Sequence, residues 1–316
     1  MPQMTPGQAR VIDPILSEHA RGYKSPNNVA DVLFPEAPVA AYGGQVIEFG
    51  KEAFRLYSSK RAPGSNTKRI SFGYAGKPYS IVPGALEALV PRELLVDAAQ
   101  VPGIDLGSRA VNIVLRSLQL EREHAAAQLA RTAGNYANSN KKSLSGATLW
   151  RAAGVDPSQD VEEGSEAIRA KIGMRPNVAI LSAAAFSACK QNAKLLERIK
   201  YTGRDSITTD LLAALWEIPR VVVGEAVVAS DKQTADFSDV WGTDVILAYA
   251  TPGGSAQANA EEPSYGYTYV INGNPLVEQP YWDNNAKSWV YGVSYDAVPV
   301  IAGADAGYLI QNAGGK

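Results

Sequence analysis

The run DLGSRAVNIVLRSLQLEREHAAAQLARTAG limits what this chain can become more than any other stretch. Asp105 stands where a helix N-cap is wanted, Gly134 where a helix stops, and no proline lies between them. Leu106, Ala110, Ile113 or Val114, Leu118, Ala125 and Leu129 recur at helical spacing. About 29 residues at 1.5 Å each predict a rod of roughly 43 Å. A helix this long exceeds the usual globular length, so the rest of the chain has to lay apolar surface along it.

Upstream, prolines at positions 2, 6, 14, 26, 35 and 38 interrupt any long helix. They predict that residues 1–50 form an extended arm clinging to something else. LYSSKRAPGSNTKRISF follows and reads as a hairpin. Residues 54–57 lead in, 61–66 turn with Pro63-Gly64-Ser65-Asn66 at the tip, and 70–74 lead out with alternating faces. Between Lys51 and Lys77 there are seven basic residues and one acid, a net +6 that leaves −8 for the remainder of a chain of net charge −2. Three readings of this ribbon stay open: a solvated hairpin, a DNA-contacting arm, or an arm that lies on a negative surface of another copy. The charge split favours the third, because complementary surfaces on one sequence support head-to-tail contact between identical copies.

Downstream, GNYANSNKKSLSG reads as a loop. DPSQDVEEGSEAIRAKIG reads as a helix capped by Asp156, with Pro157 first, acids early, and Arg169 and Lys171 late. NVAILS predicts a short buried strand, AAAFSACKQNAKLLERI one helix and TTDLLAALWEI another. The β-branched RVVVGEAVVA and the strand in VWGTDVILAYA follow. This order predicts a compact α+β domain around a small sheet. GGSAQANAEEPSYG reads as a mobile loop. YTYVINGN, VEQPYW and SWVYGVSYDAVPVIA are extended, with Asp283-Asn284-Asn285 turning between the last two.

Catalytic and ligand-binding chemistry is sparse. No nucleophile elbow, P-loop or dinucleotide fingerprint occurs, and Gly303 to Gly307 reads as a plain turn. His19 and His124 are too few for a His-rich metal site, and Cys189 has no partner at ligand spacing. Glu121 to His124 reads as a solvated or interface helix face. Asp156, Asp160, Glu162, Glu163 and Glu166 read as helix N-terminal acids without EF-hand spacing. The five tryptophans read as core or interface aromatics. No catalytic, cofactor or metal residue is therefore expected. One cysteine excludes an intrachain disulfide and suits a reducing compartment. The start of the chain has no apolar core of signal-peptide length, and no run of about 18 apolar residues occurs, so synthesis in the cytosol and no membrane partner are expected.

Arm, basic hairpin, long helix, α+β domain and returning strands, in this order, resemble the major capsid protein of tailed bacteriophages, whose fold is shared with encapsulin nanocompartments. RPNVAILSAAAFSACKQNAKLLERIKYT, DLLAALWEIPRVVVGEAVVA and YWDNNAKSWVYGVSYDAVPVI carry the resemblance, which spans nearly the whole chain. It implies an α+β capsid fold: an N-terminal arm (1–50), an extended β-hairpin loop (51–79) that overlaps a neighbour, and a peripheral domain (80–148) with a spine helix (105–133). An axial domain (149–260), return strands of the peripheral domain (261–301) and a C-terminal segment rejoining the axial domain (302–316) complete it. Arg55, Lys60, Arg61, Lys68, Arg69 and Phe72 are the expected intersubunit contacts. The implied role is a non-enzymatic head protein in the virion, assembled in the host cytoplasm from hexamers and pentamers around double-stranded DNA held without sequence specificity. Some relatives carry a scaffolding segment of about a hundred residues; the roughly 50 here are too few, so either a separate scaffolding protein guides assembly or processing has occurred, and Met1, taken with the resemblance, favours the separate protein, with a portal. An encapsulin-like shell around a cargo enzyme is the alternative within the fold. A Tyr-lined carbohydrate or enzyme site and a DNA-binding ribbon are the alternatives outside it.

Overall fold

The computed structural model describes residues 12–23, 28–47, 60–61, 66, 69, 76–98, 105–200, 206–229, 236–251 and 264–315. Asp13 accepts from the backbone N–H groups of Ile15 and Leu16 while Pro14 takes the first helical turn, which starts α1 (Pro14–Gly22). α2 (Ala30–Leu33), β1 (Glu36–Val39) and β2 (Gly43–Ile47) follow. Residues 14–47, expected as an extended arm, therefore fold back on their own chain. The mostly apolar run from Val29 to Phe34 is the reason: Leu33 and Phe34 are fully buried, and each such side chain gains about 1.5–3 kcal/mol on leaving water. Pro38 is tolerated because β1 is an edge strand, paired only with β11 (Gly266–Ile271).

β2 pairs antiparallel with β3 (Gly76–Ser80), from Gly43 opposite Ser80 to Ile47 opposite Gly76. β2 and β3 thus form a two-stranded stem at the two ends of the segment 48–75. Within the expected hairpin, Lys60, Arg61, Asn66 and Arg69 are exposed; Arg55, Lys68 and Phe72 lie outside the described residues.

β4 (Ala85–Pro91) and α3 (Arg92–Ala98) lead to α4 (Leu106–Arg131), a rod of about 39 Å. Asp105 caps it, as expected, accepting from Gly107 N at 2.9 Å. It stops before Gly134. Thr132 Oγ1, Asn135 Nδ2 and Tyr136 Oη donate to the carbonyls of Gln128, Leu129 and Ala130, so the last turn is closed by side chains rather than by a left-handed glycine. The buried stripe runs through Ala110, Val111, Val114, Leu115 and Leu118, continues through Arg122 and Glu123, and ends at Ala126, Ala127 and Ala130. Ile113 points to solvent.

The polar connector after α4 is not simply a loop. β5 (Lys141–Ser143) adds a parallel edge to the main sheet, held by buried Asn140, which donates to the carbonyls of Asp305 and Gly307. α5 (Pro157–Ile172) starts on the Asp156 cap and ends at Gly173 in the left-handed region. β6 (Val178–Ser182) leads into α6 (Ala183–Gln191) and α7 (Ala193–Ile199), where one helix was expected. Asn192 separates them: its Oδ1 accepts from Lys194 N and Leu195 N while its Nδ2 donates to the carbonyls of Trp150 and Val155. α8 (Thr209–Trp216), β7 (Arg220–Gly224), the hairpin β8 (Val227–Ala229) and β9 (Phe237–Asp239), and β10 (Val245–Ala248) follow.

β11 returns through β12 (Leu276–Val277), β13 (Tyr281–Asp283), β14 (Ser288–Ser294) and β15 (Ala297–Ile301) to β16 (Gly307–Gln311). The segment SWVYGVSYDAVPVIA is two strands in two sheets, broken at Tyr295-Asp296. The main sheet has order β5-β16-β10-β6-β7 and carries the largest core, centred on Trp150, Trp241, Ile180, Leu181 and Tyr308. A second sheet, β12-β14-β13 with β4 on the other edge of β14, lays Val277 and Val293 against Val111, Val114, Leu115 and Leu118 of α4. A third has order β1-β11-β15.

Candidate subunit interface

The residues first examined for chemistry are occupied structurally. Cys189 is buried, and burial pushes its thiol far above the usual range, away from the reactive thiolate. Asp160 accepts from Trp150 Nε1 at 2.8 Å and pairs with Lys142, whose ammonium also meets Glu163. Asp156 pairs with Arg198, and Glu162 and Glu166 with Arg175. His19 bonds to Asn112 and His124 to Gln128. Among the described residues, no three His, Cys, Asp or Glu side chains are grouped to hold a metal.

What is built with care is the attachment of the N-terminal segment to α4. Arg122 and Glu123, read as part of a solvated or interface face, are buried. Glu123 Oε1 accepts from Val29 N at 3.0 Å and Trp241 Nε1 at 2.7 Å, and Oε2 from Ala30 N at 2.9 Å. Burial raises the Glu123 carboxyl pKa above the usual range even though these three donors oppose the shift. Arg122 meets Asp31 and Glu36 at 2.6 Å each and donates to Tyr295 Oη, which itself donates to Glu36. Burial works against the Arg122 charge, and its acidic neighbours outweigh that, raising its pKa. Unbroken helical spacing through 118, 122 and 126 carried the signal; charge alone argued against burial.

Two surfaces carry opposite charge. Lys60, Arg61 and Arg69 are exposed on the excursion beyond the stem. The face of the β4-β14-β13 sheet turned away from α4 is acidic. Directly opposed residues share a face, which places Glu87 with Gly292, Leu89 with Val290 and Tyr281, and Ser288 with Asp283. Glu278 joins them: it accepts from Ser294 Oγ at 3.4 Å, and its carboxylate covers Gly292, where a Cβ would lie 3.0 Å from Oε2. Tyr281 Oη donates towards Glu87 at 3.4 Å, and desolvation followed by Glu87, Asp283 and Glu278 raises its pKa. Among the described residues, no cation lies within ion-pair distance of these three carboxylates. Leu89, on the same face, is more than half exposed. The sheet's alternation was the available signal, but which face is outward depends on α4.

No family model matches the chain. It is 38% identical to the major capsid protein of Burkholderia phage BcepMu over 97% of this chain and 98% of that protein. The crystal structure of a phage-related protein from Bordetella bronchiseptica RB50 matches with 58% identity and a TM-score of 0.83, over 98% of this chain and 99% of the other. A chain of the satellite phage P4 procapsid shares the fold at 11% identity and a TM-score of 0.53, over 99% and 92%.

Proposed function

The chain belongs to the tailed-phage major capsid protein family, and from that premise we propose how its copies hold one another in the head shell. It is a structural, non-enzymatic subunit of the virion's icosahedral shell. In our reading, residues 51–79 are the extended loop, and the basic side chains on it lie across the acidic sheet face of a neighbouring copy.

The observation that carries this reading is the acidic face itself. Glu87, Glu278 and Asp283 stand together, with no cation in ion-pair distance among the described residues, on the outer side of a sheet whose other side is filled by α4. In this reading the exposed basic residues of the loop, Lys60 and Arg69 among them, supply the counter-charge from another copy. A heterologous contact of this kind repeats and closes into rings, which accounts for hexamers and pentamers. Around it, residues 80–148 and 261–301 make the peripheral domain with α4 as its spine. Residues 149–260 and the C-terminal segment 302–316 make the axial domain, and 1–50 forms the N-terminal segment.

A net charge of −2 suits a wall that encloses double-stranded DNA without gripping it. A separate scaffolding protein and a portal complete the assembly in this reading. Reversing Lys60, Arg61, Lys68 and Arg69 to Glu leaves a folded subunit that fails to form closed shells, as read by electron microscopy and circular dichroism. Normal shells from that folded variant would end the self-association role of the loop.

A further inference from the structure

The stem of the extended loop is tied to the body at one carboxylate. β2 and β3 pair only with each other among the described strands, so the stem is not continuous with any of the larger sheets. Two connectors join it to the body: residues 40–42 from β1 to β2, and residues 81–84 from β3 to β4. Both meet Asp296. Tyr42 Oη donates to Asp296 Oδ2 at 2.8 Å, and Gly84 N donates to Asp296 Oδ1 at 3.0 Å.

Asp296 is itself held firmly. It sits at the corner between β14 and β15, where two sheets meet, and is 7% exposed. Its carbonyl accepts from Ile271 N at 3.1 Å, and its N–H points to Asn274 Oδ1 at 3.4 Å. The two connectors are also joined to each other, Ile81 N donating to Tyr42 O at 2.7 Å. The outgoing connector is also tied by Tyr295 N, which donates to Gly84 O at 2.8 Å, and the stem itself touches the body through Tyr79, stacked on Tyr269 with ring centroids 4.3 Å apart, and through Val46, packed with Ala37, Tyr267 and Ala302.

We infer that Asp296 is the positioning residue of the β2–β3 stem, one oxygen holding the incoming connector and the other the outgoing one, so that it fixes the direction of the stem relative to the body. When a bond to Asp296 is lost, the backbone bond to Gly84 O, the Tyr79–Tyr269 stack and the Val46 contact remain, and they restrain the orientation of the stem less than the two-sided carboxylate does. Charge on the loop determines what it grips; Asp296 determines where the stem points. The inference rests on the loop-overlap reading for its consequence in the shell, but the anchor is testable in the free subunit.

The test uses the full-length chain with spin labels at Ser80→Cys on the stem and Ser117→Cys on α4, both exposed, while buried Cys189 stays in place. Pulsed electron resonance reads the distance distribution in otherwise native protein, in Tyr42→Phe, in Asp296→Asn and in Asp296→Ala. A single narrow distribution is expected for the native anchor. Tyr42→Phe, which removes one tie on a half-exposed ring without touching the core, shifts and broadens it. Asp296→Ala broadens it most, and Asp296→Asn, which keeps one acceptor, falls between. Should Asp296→Ala not fold, Tyr42→Phe decides alone. An unchanged distribution in Tyr42→Phe and in every Asp296 variant that folds overturns the inference. Broadened distributions combined with normal shells retain the anchor and remove instead the claim that loop direction governs assembly.

Discussion

At the residue scale, Glu123 is the side chain through which the subunit holds three distant segments together. Three N–H donors converge on its carboxylate, and an amide cannot satisfy them all. Glu123→Gln therefore turns an NH₂ towards a donor and costs about 1–3 kcal/mol, read as a lowered denaturant midpoint. The pH dependence has a definite sign. Burial raises the folded pKa above the unfolded one, so the stabilisation is complete below the ordinary glutamate range, near about 4.3, and is lost as pH rises through the folded value. The advantage of the native chain over the Gln variant thus shrinks with rising pH, and an advantage that grows would contradict this assignment. The sequence reading took residues 122 and 123 for part of a solvated or interface face, although both are buried. Their partners, Val29, Ala30, Asp31, Glu36, Trp241 and Tyr295, lie far away along the chain, and that long-range pairing was not legible. Asp296 was hidden for the same reason, since its partners are residues 42 and 84.

At the element scale, the fold depends on close approaches that few residues permit. Trp241, which donates to Glu123, lies over Gly224 at the end of β7, and a Cβ there would stand 2.2 Å from its Cδ1. Gly224→Ala must displace a fully buried indole and costs about 1–3 kcal/mol, with a changed near-ultraviolet tryptophan signal. Gly22→Ala, where nothing lies within 4 Å, is the control and leaves both unchanged. The long helix, its Asp105 cap, the Asp156 cap and the buried strands β6 and β10 could be read from local pattern because local chemistry sets them. The break at Asn192 could not: it depends on the carbonyls of Trp150 and Val155, which no local signal announces. Packing of α1 and α2 onto α4 and pairing of β1 with β11 were missed because prolines look alike at the start of a helix, in an edge strand and in an arm.

At the scale of the whole molecule, the subunit is a rod with a sheet on its flank, a compact α+β body and a loop that leaves through a tied stem. Most of this order was visible in the sequence as a succession of patterns. Its surfaces were not, because a surface is made by what lies behind it: the acidic face exists only once α4 fills the other side. The most direct measurement is a charge exchange read by electron microscopy and light scattering. One chain carries Lys60, Arg61, Lys68 and Arg69 as Glu, a second carries Glu87, Glu278 and Asp283 as Lys, and a third carries both sets. The account predicts that neither single exchange yields closed shells and that the third chain does, because complementarity is restored at every contact. Closed shells from the face-exchanged chain alone, or a third chain as defective as the first two, would contradict it.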